Sequence, residues 1–145
     1  MTTELDESHK SLIRDSFASQ TMMETIGARI STIQKGEVQI AAPILPGTKQ
    51  QNGYGHAALT FALGDTAAGY AAISALDPGW NVLTAEIKIN LLAPAKGAEL
   101  RATGHVIKSG RRIVVVGSDI HAIDDKGRET LIAVMQGTMI PIAPE

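Results

Sequence analysis

Between Gln51 and Leu76 the chain reads QNGYGHAALTFALGDTAAGYAAISAL, and from Ala57 onward this stretch holds one charged residue, Asp65. It is rich in Ala and free of Pro, and Ala, Leu and their like lose little entropy on becoming helical. The pattern predicts one helix over residues 56–75, about 30 Å long at ~1.5 Å per residue. A helix apolar on every side has to be buried, in a protein core or in a bilayer. The bilayer is the poorer host. The stretch is Ala, Gly and Thr rather than Leu and Ile, its Asp sits at mid-span, and no Lys or Arg anchors flank it closely. The rest of the chain is therefore expected to wrap this helix.

The whole sequence of 145 residues suits a single domain with one core, with 44% apolar and 19% charged residues as in a soluble globular protein. A net charge of −2 gives no general attraction to nucleic acid or anionic membrane. The absence of cysteine removes disulfides, thiolate nucleophiles and cysteine zinc sites. The start, MTTELDESHK, is polar and of mixed charge, unlike a signal peptide. Together these features predict a cytoplasmic location.

Residues 5–18, LDESHKSLIRDSFA, read as an amphipathic helix packed on the outside, with Leu5, Leu12, Ile13 and Phe17 near one face. Met22, Met23 and Ile26 are expected to tuck the next turn into the core. Strands are predicted at 28–34 and 37–43, joined at Lys35-Gly36 as a hairpin. A Pro- and Gly-rich loop, 43–55, leads to the helix, which Asp77-Pro78-Gly79 stops. Four further strands are read at 81–93, 99–109, 111–123 and 128–142, with joins short enough to make most of them antiparallel neighbours. Small residues on strand faces, Ala102 with Gly104 and Ala133 with Gly137, would let a helix come close. The expected class is α+β: a curved antiparallel sheet of about six strands around one central helix.

This order of elements resembles the hotdog fold. His56-Ala57-Ala58 followed by Asp65 resembles the His-Gly-Gly then Asp pattern of the phenylacetate-degradation (PaaI-like) thioesterases. LTAEIKINLLAPAKG resembles that family's third strand and following turn, and GHVIKSGRR its next hairpin. The likeness covers nearly all of the chain after residue 12. It implies an acyl-CoA thioesterase, a tetramer built from dimers, and no cofactor beyond the coenzyme A carried by the substrate. It implies Asp65 as the catalytic acid residue, Ala57 as the backbone donor facing the thioester oxygen, and Gln50 in the family's Asn or Gln position. It also implies Thr84 near the substrate, and Lys108, Ser109, Gly110, Arg111 and Arg112 as a coenzyme A-binding segment. Both family glycines are Ala here; the backbone N–H survives that change, and the room for a bulky acyl carbonyl is reduced.

The residues carry an argument of their own. A carboxylate in a buried helix must be paired or neutral. Asp65 is thus either hydrogen-bonded to a neighbouring strand or an interface, or it is a general base or a nucleophile. The first N–H groups of a helix lack internal partners and suit an oxyanion. Asp65 lies about 12 Å along the helix from Ala57, so one carbonyl cannot touch both. If both act in one reaction they belong to different chains, and antiparallel helices across a twofold axis would bring them together, which requires a dimer at least. His56 reads mainly as a ring that fixes the helix start, with proton transfer as the alternative. Gln50 reads as a water-orienting or thioester-holding group, or as a plain loop residue. Lys108–Arg112 is a solvated turn or an anion clamp. His9, His105 and His121 have no metal-ligand spacing. With 3% aromatic residues the chain favours an acyl pocket of aliphatic and Met side chains, with Tyr54, Phe61 and Tyr70 as the groups able to stack. Two other readings stay open: a non-catalytic acyl-CoA sensor, which would not need Asp65, and a hydratase or dehydratase of the same fold using His56.

Overall fold

The computed structural model describes residues 4–145. Met1–Thr3, the first residues of the expected domain and of its polar start, lie outside the described residues. Two short helices, α1 (Glu7–Ala18) and α2 (Thr21–Thr25), precede β1 (Arg29–Gln34) and β2 (Glu37–Pro43). A single-turn 3-10 helix, Pro46–Thr48, leads to α3 (Ala57–Ala75). Then come β3 (Asn81–Leu91), β4 (Glu99–Ser109), β5 (Val114–Ile123) and β6 (Glu129–Ile142). The strands form one antiparallel sheet in the order β1-β2-β4-β5-β6-β3, curved around α3. This is the hotdog arrangement.

In α1 the Asp6 carboxylate caps the helix, accepting the His9 N–H at 2.8 Å. The Ser8 hydroxyl and that N–H hold Asp6 below the usual carboxylate range. Ile13 is buried, with Leu5 and Phe17 packed against the core, whereas Leu12 is 49% exposed and His9 is buried in its stead. The inward stripe thus runs at four-residue steps through 5, 9, 13 and 17, which excludes position 12. On α2, Met23 is 2% exposed and Ile26 is buried, but Met22 is 55% exposed. Only two of the three residues expected to tuck in do so.

The sheet presses hardest on α3 at β4. A Cβ on Gly104 would collide with the backbone of Ala67 and Ala68, so the missing side chain sets the helix-to-sheet distance. From the helix side, Gly64 makes room for Met135 and Ile120. Gly137 meets a different neighbour. Its Cβ would strike Glu86 and Ile87 of β3, opposite an irregularity in register between Thr84 and Glu86. That bulge lets Thr84 and Ile87, three apart, both pair with inward positions of β6.

Two expectations change. The join after β3 does not make a hairpin: β3 pairs only with β6, at the sheet edge, while β4 lies three strands away. Three spacings of about 4.8 Å are well within the reach of the seven residues 92–98 at ~3.3 Å each. And α3 is not covered all round. Ala57, Ala58 and Phe61 are exposed, and Ala62, Asp65, Thr66 and Gly69 are half-buried. They form one stripe that this chain leaves open beside β3. Uniform apolarity fixes that every side wants a cover but not which chain supplies it. Among the described residues no helix is long and apolar enough to cross a membrane.

Candidate active site

The loop before α3 is tied down at both ends. His56 N–H donates to Thr48 O at 2.8 Å, and Gly55 N–H to Ala95 O at 2.8 Å. Gly53 adopts φ +85°, a conformation that favours glycine, and closes a tight turn through its N–H to Gln50 O at 3.0 Å. The Gln50 side-chain oxygen accepts the Asn52 N–H, which leaves the amide NH2 as its free end. His56 is the N-cap of α3: its Nδ1 accepts the Ala58 N–H at 2.8 Å. A neutral ring accepting at Nδ1 carries its proton on Nε2. The capping spends the Ala58 donor, and the His56 carbonyl takes the Leu59 and Thr60 N–H groups. The Ala57 N–H has no hydrogen-bond partner among the described residues. Gln50, His56 and Ala57 line one cleft of about 500 Å³ with Tyr54, Thr60 and the end of β3 with the chain that follows it, residues 91–95.

Asp65 and Thr84 lie elsewhere. Asp65 stands two turns along α3, on its uncovered stripe, and the Thr84 hydroxyl donates to its Oδ1 at 2.7 Å. Met139 Sδ is 3.2 Å from the same hydroxyl, but a hydroxyl has one proton and a carboxylate is the stronger acceptor. The Asp65 Oδ2 has no hydrogen-bond partner among the described residues. Asp65 is therefore bonded to a neighbouring strand, as one of its two readings expected, and keeps an oxygen to spare. The Thr84 proton is spent on Asp65 rather than held for a ligand.

The third group is at the far end of the helix. The Ser74 hydroxyl, in the last turn of α3, accepts the Gly36 N–H, and Gly36 O accepts the Val106 N–H, each at 2.8 Å. The β4–β5 turn therefore stands beyond the C-terminal half of α3, opposite the Ala57 end. Gly110 N–H closes it on Ile113 O at 2.9 Å, so β5 begins at Val114 and Arg111 and Arg112 belong to the turn. Lys108, Arg111 and Arg112 are exposed and make no salt bridge among the described residues. One chain thus separates donor end, acid and cationic turn.

Other residues singled out from sequence fall outside these groups. Tyr70 is buried, holding α1 through Ser16 at 3.0 Å and the start of α2 through Gln20 at 2.8 Å, so it is not available to stack on a ligand. His9 is buried in α1, and His105 lies against Gly117 on the outer sheet face. Met22, expected in the core, instead lines a depression of about 250 Å³ beside the start of α3, a distinction that periodicity alone does not make.

The sequence profile of the thioesterase superfamily matches residues 52–128, which spans the donor end, the acid and the cationic turn. The chain belongs to the thioesterase superfamily. A protein of Saccharolobus solfataricus named as an esterase is 30% identical over 128 residues, covering 88% of this thioesterase-superfamily chain and 82% of that protein. A 1,4-dihydroxy-2-naphthoyl-CoA hydrolase of Listeria monocytogenes is 29% identical over 90 residues, 62% of this chain and 73% of the relative. The crystal structure of a thioesterase family protein from Silicibacter pomeroyi superposes with TM-score 0.90 at 38% identity, covering 93% of this chain and 98% of that one. The PaaI protein of the Escherichia coli phenylacetic acid degradation operon shares the fold at TM-score 0.83 and 19% identity, over 97% and 98% of the two chains.

Proposed function

We propose that this chain hydrolyses an acyl-CoA thioester to a carboxylic acid and coenzyme A, in a site that two chains complete. The observation that carries the reading is the placement of Asp65. It sits on the one stripe of α3 that its own chain leaves uncovered, with one carboxylate oxygen held by Thr84 and the other free. Beside it β3 presents eleven residues whose outer edge is unpaired among the described residues. An unpaired edge and an open apolar stripe are together the surface a second copy would cover. In that arrangement the Ala57 N–H of one chain stabilises the oxyanion while the partner's Asp65 acts on the carbonyl. As general base, Asp65 takes a proton from water as the new C–O bond forms; collapse of the tetrahedral intermediate breaks the C–S bond and the thiolate leaves with the proton. As nucleophile, it forms an anhydride that water then cleaves. Label in the Asp65 carboxyl after single turnover in ¹⁸O-water identifies the nucleophile, through water attack on the Asp65 carbonyl of the anhydride; where only the product acid is labelled, trapping of the anhydride with hydroxylamine separates the two.

Coenzyme A is favoured by the cationic turn and by the coenzyme A thioester that the Listeria relative is named for. Lys108, Arg111 and Arg112 offer unspent charge for phosphates, with Ser109 and Gly110 supplying the turn between them. Because the turn is remote from its own chain's Ala57, it serves the site whose acid its own chain supplies. His56 holds the helix start, and Gln50 presents its amide to the water or thioester. A dimer is the smallest active form, and two dimers make the tetramer.

Free-thiol release from a panel of acyl-CoAs tests the reading; an absence of turnover on every thioester with tight binding retained would establish the sensor instead. The paired change Arg111→Gln and Arg112→Gln should raise KM for acyl-CoA about tenfold with kcat little altered, since exposed, solvent-screened ion pairs contribute up to ~1 kcal/mol each. KM for the matching acyl-pantetheine, which lacks the nucleotide, should stay where it was. Gel filtration with activity across the peak completes the test: an active monomer contradicts the shared site.

A further inference from the structure

Two depressions flank the start of α3 and share His56 as a wall. One is the cleft already described. The other, about 250 Å³, lies between α2, the 3-10 turn and the first turn of α3; besides His56 it is lined by Met22, Ile26, Ala58 and Leu59 and, on the side of the 3-10 turn, by Gly47, Thr48 and Lys49. We propose that this second depression receives the acyl group of the substrate, and that the group is a short-to-medium unbranched aliphatic chain. The inference rests on the thioester-hydrolase reading and adds the substrate class to it.

A thioester held at the Ala57 N–H has two arms of opposite chemistry. The pantetheine arm carries amides that need hydrogen-bond partners; the acyl arm carries none. The cleft beside β3 is lined by the apolar run 91–95 as well, but it alone of the two offers Gln50 and Tyr54, so it can meet the amides. The depression beside α2 turns Met22, Ile26, Ala58 and Leu59 toward a ligand, with Thr48 and Lys49 confined to the side of the 3-10 turn, so its apolar wall suits the chain. The two adjoin at His56, which lines both, and the successive residues Ala57 and Ala58 line the first and the second.

Met22 points the same way. It is a large apolar residue left 55% exposed on a helix whose Met23 is buried. An alkyl chain laid against it would remove that surface from water, and the flexible thioether adapts to chains of different length. Ile26 and Leu59, both buried, close the floor and limit depth. No aromatic side chain other than the His56 ring lines the depression, and that ring is held at its edge as the N-cap of α3, so a flat aryl group would find no second ring to stack against there.

The test compares kcat/KM for acetyl-, butanoyl-, hexanoyl-, octanoyl- and benzoyl-CoA in the parent, Met22→Trp, Gly47→Leu and Met22→Ala. Gly47 lines the depression and has no atom within 4 Å of a Cβ position, so Leu there narrows it from the 3-10 turn without a clash at its Cβ. The hexanoyl-to-acetyl ratio should fall about tenfold in each filling variant, the scale of one or two methylenes lost from an apolar pocket. Met22→Ala should move the optimum to a longer chain. A ratio unchanged in both filling variants, or a parent that prefers benzoyl-CoA, overturns the proposal while leaving the hydrolase reading intact. A parent that cleaves none of the five overturns the proposal, and only failure on the whole acyl-CoA panel overturns the hydrolase reading. Calorimetry with S-hexyl- and S-methyl-coenzyme A then decides the pocket by itself. Tighter hexyl binding that Met22→Trp abolishes supports it, and equal affinities sink it.

Discussion

Asp65→Asn should lower kcat by about 10²–10⁴, the usual contribution of a positioned general base, and more if Asp65 is the nucleophile. Ala57→Pro should lower it by about 10²–10³, the effect of losing one oxyanion donor. Neither change is expected to harm the fold. Asn is isosteric with Asp and can still accept from Thr84. Ala57 is the first residue of α3, where Pro fits because its missing N–H has no helical partner anyway. The residue before a proline must be extended, and His56 already is, at φ −64° and ψ 145°. The informative experiment combines the two inactive proteins. In a dimer of one Ala57→Pro chain and one Asp65→Asn chain, one site pairs an intact Ala57 with an intact Asp65 and the other has neither. Co-expression with random pairing should therefore restore about a quarter of parental activity. Activity that stays at the level of the single variants would place Ala57 and Asp65 in one chain's own site and end the shared-site argument.

The largest stability loss is expected at Gly104. Adding a methyl there drives it into the Ala67–Ala68 peptide of α3, and backbone inside a helix cannot rotate away as a side chain can. Gly104→Ala should cost about 3 kcal/mol, the upper end of the overpacking range. For a chain of this size that corresponds to a fall in Tm of about 6–12 °C. Gly64→Ala is the control. Its methyl meets the end of Met135, a flexible thioether, and Ala is the better helix former by ~1 kcal/mol, so the net change should stay within about 1 kcal/mol. A thermal melt in which the two variants behave alike would show that Gly104 does not set the helix height. Since α3 carries both Ala57 and Asp65, residual Gly104→Ala protein should also lose activity.

Helices and strands were legible because their signals are local. The Ala-rich run, the Pro-Gly stop and the alternation along 99–109 each name an element without knowledge of its neighbours. Strand order was not legible in the same way: nothing in LLAPAKG says that β3 leaves for the far edge while β4 returns to β2. Burial was legible only as a period. Leu12 and Met22 look apolar and helical like Ile13 and Met23, and which one faces inward depends on where the sheet lies. The site residues were legible as types at a spacing, and the helix rise alone separates Ala57 from Asp65. What sequence could not supply is that the Thr84 hydroxyl is spent on Asp65, or that the Ala58 N–H is spent on His56. Those are contacts between or at the ends of elements, fixed only when the elements meet.

The unpaired edge of β3 has a cost during biosynthesis. A newly made chain exposes a long strand whose amides will pair with any extended segment that arrives first, and Leu83 and Leu91 near its ends are exposed and uncharged. Glu86 and Lys88 in its middle are the only charges that guard it. Association with a matching copy is second order in concentration, so chains made sparsely stay open longest. Expression level would then act on this protein through aggregation as well as through amount, and substitutions that neutralise Lys88 would harm yield in the cell more than they alter the folded molecule.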